Sequence, residues 1–320
     1  MLADCVRCGA PVSWMEPCDE QQTHVVQAAH DEFGVRCLQV TDQGLQGLVP
    51  FDRTPARHGA WHMSELGYFA FVRPRRSPRL LSLVPSKTAA RSIDGRRIPA
   101  LLLATAVLTT LYAGWDFAEL PAGTIGGGPA RWVGAAQFSL SILFILLSHE
   151  FGHWVAARRN GIRATYPHVI PVPFLFGTMG AFIQLRSPPP DRDAMIKLGA
   201  AGPLAGMAAT LLVLLAFVPM STLAPVEAHG AFVLFGDPLL MKGLQALLGP
   251  TVPAGRELAA HPGVMAGWFG LLVTSLNLLP AGQLDGGHVL RAYLSLKAHR
   301  RFTQALGAGL LVLGYLYWEG

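Results

Sequence analysis

Charge is scarce in this chain. Of 320 residues only 14% are Asp, Glu, Lys or Arg, while 51% are hydrophobic. A soluble domain carries about a quarter charged residues, so a globular surface cannot be covered here. The length alone would allow two soluble domains; the composition excludes an ordinary pair. Cysteine is also scarce, and the four present (Cys5, Cys8, Cys18 and Cys37) all lie near the N-terminus. The first twenty residues, MLADCVRCGAPVSWMEPCDE, lack the apolar run of a signal peptide. The N-terminus is therefore expected in the cytoplasm, where thiols stay reduced.

The net charge of +5 does not point to nucleic acid, because the basic residues stand beside apolar runs. That placement fits membrane topology rather than a binding groove, and no nucleic-acid partner is expected. Within CVRCG, Cys5 and Cys8 resemble one knuckle of a zinc ribbon, which Cys18 with Cys37 or His24 would complete. No second C-x-x-C follows. Ordinary thiols are thus favoured over a second zinc.

What the chain has in abundance is long apolar runs. It divides near residue 95. Residues 1–95 mix short alternating runs with Gly, Pro and Arg, and read as a small soluble segment ending in the basic linker RPRRSPRLLSLVPSK. Residues 96–320 hold five apolar segments, at about 98–115, 132–157, 198–220, 264–284 and 302–318. A helix needs roughly 20 apolar residues to cross ~30 Å of hydrocarbon. The fold expected is an all-α polytopic membrane protein with about five spans. Arg91, Arg96 and Arg97 precede the first span, Arg158, Arg159 and Arg163 follow the second, and Arg192 and Lys197 precede the third. Arg291, Lys297, Arg300 and Arg301 follow the fourth, while loops 116–131 and 221–263 carry few basic residues. The positive-inside rule then puts the N-terminus and the far end of the second span in the cytoplasm.

At that end stands His149-Glu150-Phe151-Gly152-His153, an H-E-x-x-H pattern. On a helix, positions i and i+4 share a face, so both imidazoles can bind one metal ion. Glu150 can then take a proton from a water held there. Zinc suits these donors and lowers the pKa of bound water to about 7. The alternative is a pair of surface histidines on an amphipathic helix. The run before them is apolar throughout, and ionisable groups within a membrane mark function.

A catalytic zinc usually takes three protein ligands. Asp285, in NLLPAGQLDGGH at the cytoplasmic end of the fourth span, agrees with His149 in side and depth. Gly286 and Gly287 beside it would permit close backbone approach to the metal. His288 is a rival ligand, with a supporting or packing role favoured.

HEFGH, GTMGAFIQLRSP, GPLAG and NLLPAGQLDGGH occur in this order. From about residue 100 to residue 320 the chain thereby resembles the site-2 protease family of intramembrane zinc metalloproteases. The likeness is to its bacterial and plastid branch, which lacks an inserted PDZ domain. The resemblance implies one catalytic zinc held by His149, His153 and Asp285, with Glu150 as general base. It assigns Asn277 to the scissile carbonyl, though helix capping or an interhelical hydrogen bond would equally account for that residue. It also implies a bacterial plasma-membrane enzyme acting on transmembrane substrates, such as membrane-anchored regulators or anti-sigma factors, in regulated intramembrane proteolysis.

Residues 165–187 are apolar but broken by Pro and Gly. The family reading is a re-entrant β-hairpin that pairs with an unwound substrate segment; the plain one is an interfacial loop. Gly202 and Gly206 form a small-x-x-x-small pattern read as helix packing. Leu240, Leu244, Leu247 and Leu248 would share one face of a helix lying on the membrane surface. His58, His62, His229 and His261 lack ligand spacing and are read as surface residues. A silent metal-binding scaffold and a metal transporter are the competing functions. The apolar first, third and fifth spans offer a transporter almost no polar path.

Overall fold

The computed structural model describes strands and a few isolated residues between 3 and 85. Beyond them it describes residues 97–118, 128–187, 189–225 and 238–318, apart from 252, 254 and 255. The four cysteines, His24, His58, His62 and His229 lie outside the described residues. The chain forms two compact units: residues 1–95 with 154–165 and 184–197, and residues 96–153 with 166–183 and 198–320.

In the first unit, β1 (Ala3–Asp4) pairs antiparallel with β2 (Pro11–Val12). Strands β3 (Leu38–Thr41), β4 (Gly44–Val49), β5 (Tyr68–Arg73) and β6 (Arg79–Pro85) make an antiparallel sheet in the order β3-β4-β6-β5. YFAFVR and RLLSLVP are the β-branched, aromatic and leucine-rich runs that suit such strands. Two later segments of this unit are laced together, Thr165 N–H donating to the Gln184 carbonyl at 3.0 Å and Arg186 N–H to the Arg163 carbonyl at 2.6 Å.

The second unit is mostly helical. Helix α1 spans Arg97–Phe117, α2 Pro129–Arg159 and α3 Arg192–Phe217, the last continued by a 3-10 turn to Met220. Among the described residues, these three helices are long and apolar enough to cross a membrane. Their outer faces agree, since Leu101, Leu108, Leu140, Leu204 and Leu212 are between 60% and 70% exposed. Apolar faces of that extent need lipid or protein over them.

Local chemistry fixes where α2 begins and ends. Pro129 opens it, where a missing N–H costs nothing. At the far end Gly161 takes φ 69°, Gly161 N–H donates to the Arg158 carbonyl at 3.2 Å, and Ile162 N–H to the Ala157 carbonyl at 2.9 Å. This pair of bonds is the Schellman motif, and the left-handed residue it needs is a glycine.

Between α2 and α3, β7 (His168–Pro171) and β8 (Thr178–Phe182) form an antiparallel hairpin with a register shift between Val169 and Pro171. Phe176 at its tip lies 4.2 Å from Phe269 and stacks on Phe117 at 5.7 Å, ring centre to ring centre. Val169 and Phe176 enter a core built from Ala106, Phe138, Ile142, Leu146 and Ala266. Thr110 and Ser139, both buried, satisfy each other at 2.7 Å. Strands β9 (Thr222–Pro225) and β10 (Arg256–Ala259) pair across α4 (Leu239–Leu248). In α4, Met241 and Leu244 turn inward, while Leu240, Leu247 and Leu248 remain exposed. Of the four leucines on that helical face, Leu244 alone is buried.

Helix α5 covers Pro262–Asn277, α6 Asp285–Tyr293 and α7 Leu296–Trp318. Residues 278–284, expected to continue the fourth span, turn instead. Pro280 offers no N–H there, and Gly282 sits at φ 54°. Helix α5 alone, at 16 residues, is about 24 Å long. His261 is no simple surface residue: its Nδ1 accepts from Gly263 N–H at 3.1 Å, capping α5, and its ring stacks on Phe217 at 4.7 Å.

Candidate metal centre

Helix α2 carries the two histidines on one face, as their spacing requires. Their ring centres are 4.9 Å apart, and both side chains are buried with Glu150 between them in sequence. Nδ1 of His153 lies 2.8 Å from the carbonyl of Leu198 on α3. A carbonyl only accepts, so the proton belongs on Nδ1, leaving the Nε2 lone pair free to act as a ligand. That Nε2 stands 3.1 Å from Nε2 of His149.

Asp285, the first residue of α6, comes to the same point from the other end of the sequence. Its Oδ2 is 3.1 Å from His149 Nε2 and its Oδ1 3.2 Å from His153 Nε2. Among the described residues, His149, His153 and Asp285 form a group whose ligand atoms all lie within 4.8 Å of one another. Gly286 and Gly287 serve a neighbouring need. A Cβ on Gly286 would strike the Leu278 carbonyl, and one on Gly287 would come within 2.5 Å of the Ala281 carbonyl. Their bareness lets loop 278–284 fold back on the start of α6.

These donors fit a zinc ion. Ligand atoms about 2.0–2.2 Å from a tetrahedral zinc stand roughly 3.3–3.5 Å from one another. The two imidazole nitrogens stand 3.1 Å apart, and each lies 3.1–3.2 Å from its own oxygen of Asp285, so each of these approaches falls just inside that spacing. Two imidazoles and a carboxylate also match zinc's preference for borderline and oxygen donors.

Two further groups face the cluster. Asn277, the last residue of α5, has its Nδ2 3.5 Å from His149 Nε2. The carboxylate of Glu150 accepts a hydrogen bond from the backbone N–H of Ile183, the residue after β8. His288 stays half-buried outside the group, and burial pushes its imidazole below the ordinary range. The contributions of Leu198 and Ile183 come from main-chain atoms. No residue-type pattern announces those, so sequence reading had no signal for them.

The family model described as Peptidase family M50 matches residues 137–316. "Probable zinc metalloprotease EGY1, chloroplastic" of Oryza sativa subsp. japonica is 38% identical over 164 residues, covering 49% of this chain and 28% of that relative. "Probable zinc metalloprotease EGY2, chloroplastic" of Oryza sativa subsp. indica is 34% identical over 174 residues, covering 53% and 31%. Rip3 of Mycobacterium tuberculosis (strain ATCC 25618 / H37Rv), also named as a zinc metalloprotease, is 30% identical over 198 residues, covering 61% and 40%. The chain thus spans less than half the length of each of these relatives. No solved structure matches it.

Proposed function

The chain belongs to peptidase family M50, and on that premise we propose that it is a zinc metalloprotease cutting peptide bonds in or beside membrane-spanning segments. The observation that carries this reading is the convergence of His149, His153 and Asp285, at 3.1–3.2 Å, beside the buried Glu150. His149, His153 and Asp285 would hold one zinc ion. When bound, the ion supplies Lewis acidity, lowering the pKa of water to about 7 and polarising the scissile carbonyl.

Glu150 takes the proton from the attacking water and passes it to the departing amine. The Asn277 amide donates to the oxygen on which negative charge develops. Leu198 keeps His153 in the tautomer that presents Nε2 to the ion. A helical substrate shields its own amides, so a segment must unwind before it is cut. On this reading the hairpin β7–β8 is re-entrant and accepts the unwound segment as an added strand. Support comes from Ile183, which directly follows β8 and whose amide already meets Glu150.

In the membrane, α5 with residues 278–284 and the apolar part of α7 supply a fourth and a fifth span. The arginines and lysines beside the spans support a cytoplasmic N-terminus and a cytoplasmic histidine end. The resemblance to the bacterial branch is what makes the bacterial plasma membrane the host membrane on this reading. The substrates are transmembrane proteins, membrane-anchored regulators or anti-sigma factors among them, released by regulated intramembrane proteolysis. Cleavage of a co-expressed membrane substrate is expected to disappear in Glu150→Ala while zinc stays bound. Unchanged cleavage with metal retained would overturn the protease reading.

A further inference from the structure

Helix α3 faces the two histidines with a surface stripped of side chains. Gly202, four residues after Leu198, lies against His153. A Cβ there would fall on the imidazole itself, meeting Nε2, Cδ2 and Cε1. One turn on, a Cβ at Gly206 would stand 2.9 Å from Nδ1 and 3.1 Å from Cβ of His149. The i, i+4 spacing of the glycines on α3 thus repeats the i, i+4 spacing of the histidines on α2. Other glycines in the same packing behave differently. Gly152 of α2 meets the backbone carbonyl of Ala201, and Gly270 of α5 meets Thr210 Oγ1 at 2.6 Å and Ile145 at 3.1 Å.

We propose that Gly202 and Gly206 are positioning residues of the metal centre, forming with the Leu198 carbonyl the wall that aims both imidazoles. The inference rests on the zinc reading and deepens it. Two imidazoles buried on their own helix have few ways to satisfy a metal whose bond lengths tolerate about 0.2 Å of error. The His153 ring is held by the Leu198 carbonyl on one nitrogen and lies flush over Gly202. A methyl group at Gly202 leaves the backbone alone, because the atoms it strikes are the far end of a side chain. The ring must swing, and by more than about an ångström to reach ordinary contact, several times the tolerance of the metal bond. Substitution here therefore damages the metal site and spares the helix. At Gly152 the same change would hit backbone and damage the packing first.

The test uses the full chain in lipid nanodiscs, with zinc affinity read by chelator competition and site geometry by the visible absorption of bound cobalt(II). Gly202→Ala is expected to weaken zinc binding roughly 10–100-fold and to shift the cobalt bands. The metal-free protein should melt at or above the parent temperature, since alanine favours a helix over glycine. Gly206→Ala is expected to change affinity and spectrum in the same direction by less, and it decides the matter if Gly202→Ala fails to fold. Gly270→Ala, a packing substitution away from the ligands, should bind zinc as the parent does. Parental affinity and spectrum in the Gly206→Ala protein, or an equal loss in Gly270→Ala, would overturn the proposal. A parent chain that takes up neither zinc nor cobalt would instead sink the metalloprotease reading, and this inference with it.

Discussion

Asp285 stands 136 residues from His149, yet both its oxygens meet imidazole nitrogens. Replacing it with alanine leaves two nitrogen donors, too few for a closed protein site. Asp285→Ala is expected to lose most bound zinc, measured by metal analysis of purified protein, while Glu150→Ala keeps it. Normal zinc content in Asp285→Ala would remove this residue from the ligand set. At this scale the sequence was legible wherever chemistry depends on residue type and local spacing. The meeting of His149 with His153 on one face follows from helical spacing, and Asp285 drew notice from its place at the end of an apolar run. Leu198 and Ile183 were hidden because any residue has a carbonyl and an amide; only tertiary packing decides which of them reach the site.

Among the elements, the hairpin shows how far a pattern carries. Proline and glycine within an apolar stretch correctly excluded a helix for residues 165–187, and β7 and β8 occupy that stretch. What composition could not supply was the anchoring. Thr109 Oγ1 of α1 donates to the Gly177 carbonyl at 2.6 Å. Gly177 itself holds φ 78°, and a Cβ there would lie 2.5 Å from Thr110 Cα. Gly177→Ala combines a left-handed backbone with a clash against α1. It is expected to cost about 1–3 kcal/mol, and faster amide exchange along β7 and β8 would register the loosened tip. Exchange matching the parent would mean that the buried Val169 and Phe176 secure the hairpin without help from Gly177. The early end of α5 has a similar lesson. Apolar character continues through Leu284, so hydropathy extends the span, whereas Pro280 and a left-handed Gly282 end the helix sooner.

For the molecule as a whole, a metal bound by α2 and α6 would tie together segments far apart in the chain. Anything that binds only the folded state stabilises it by mass action, about 4 kcal/mol when the ligand stands at a thousand times its dissociation constant. Stripping the metal with a chelator is accordingly expected to lower Tm by roughly 10 °C. Restoring zinc should recover it, and a Tm indifferent to chelator would argue against a structural tie. Five apolar runs were legible in the sequence, because lipid selects for length and hydropathy. Three helices carry that signal on their own, while α5 is short and α7 opens with Lys297, Arg300 and Arg301.

Helix α2 has one more consequence. Its 31 residues extend about 46 Å, against ~30 Å of hydrocarbon. No ordinary bilayer matches it, so it must tilt or overhang. His149 lies twenty residues beyond Pro129, about 30 Å along the axis. With Pro129 at one membrane face, the histidine turn would fall where the other leaflet gives way to headgroups, and its immersion would follow the thickness of the surrounding lipid. Hydrophobic mismatch becomes a ruler for this protein: a thicker membrane draws the histidines away from water, and a thinner one delivers them to it.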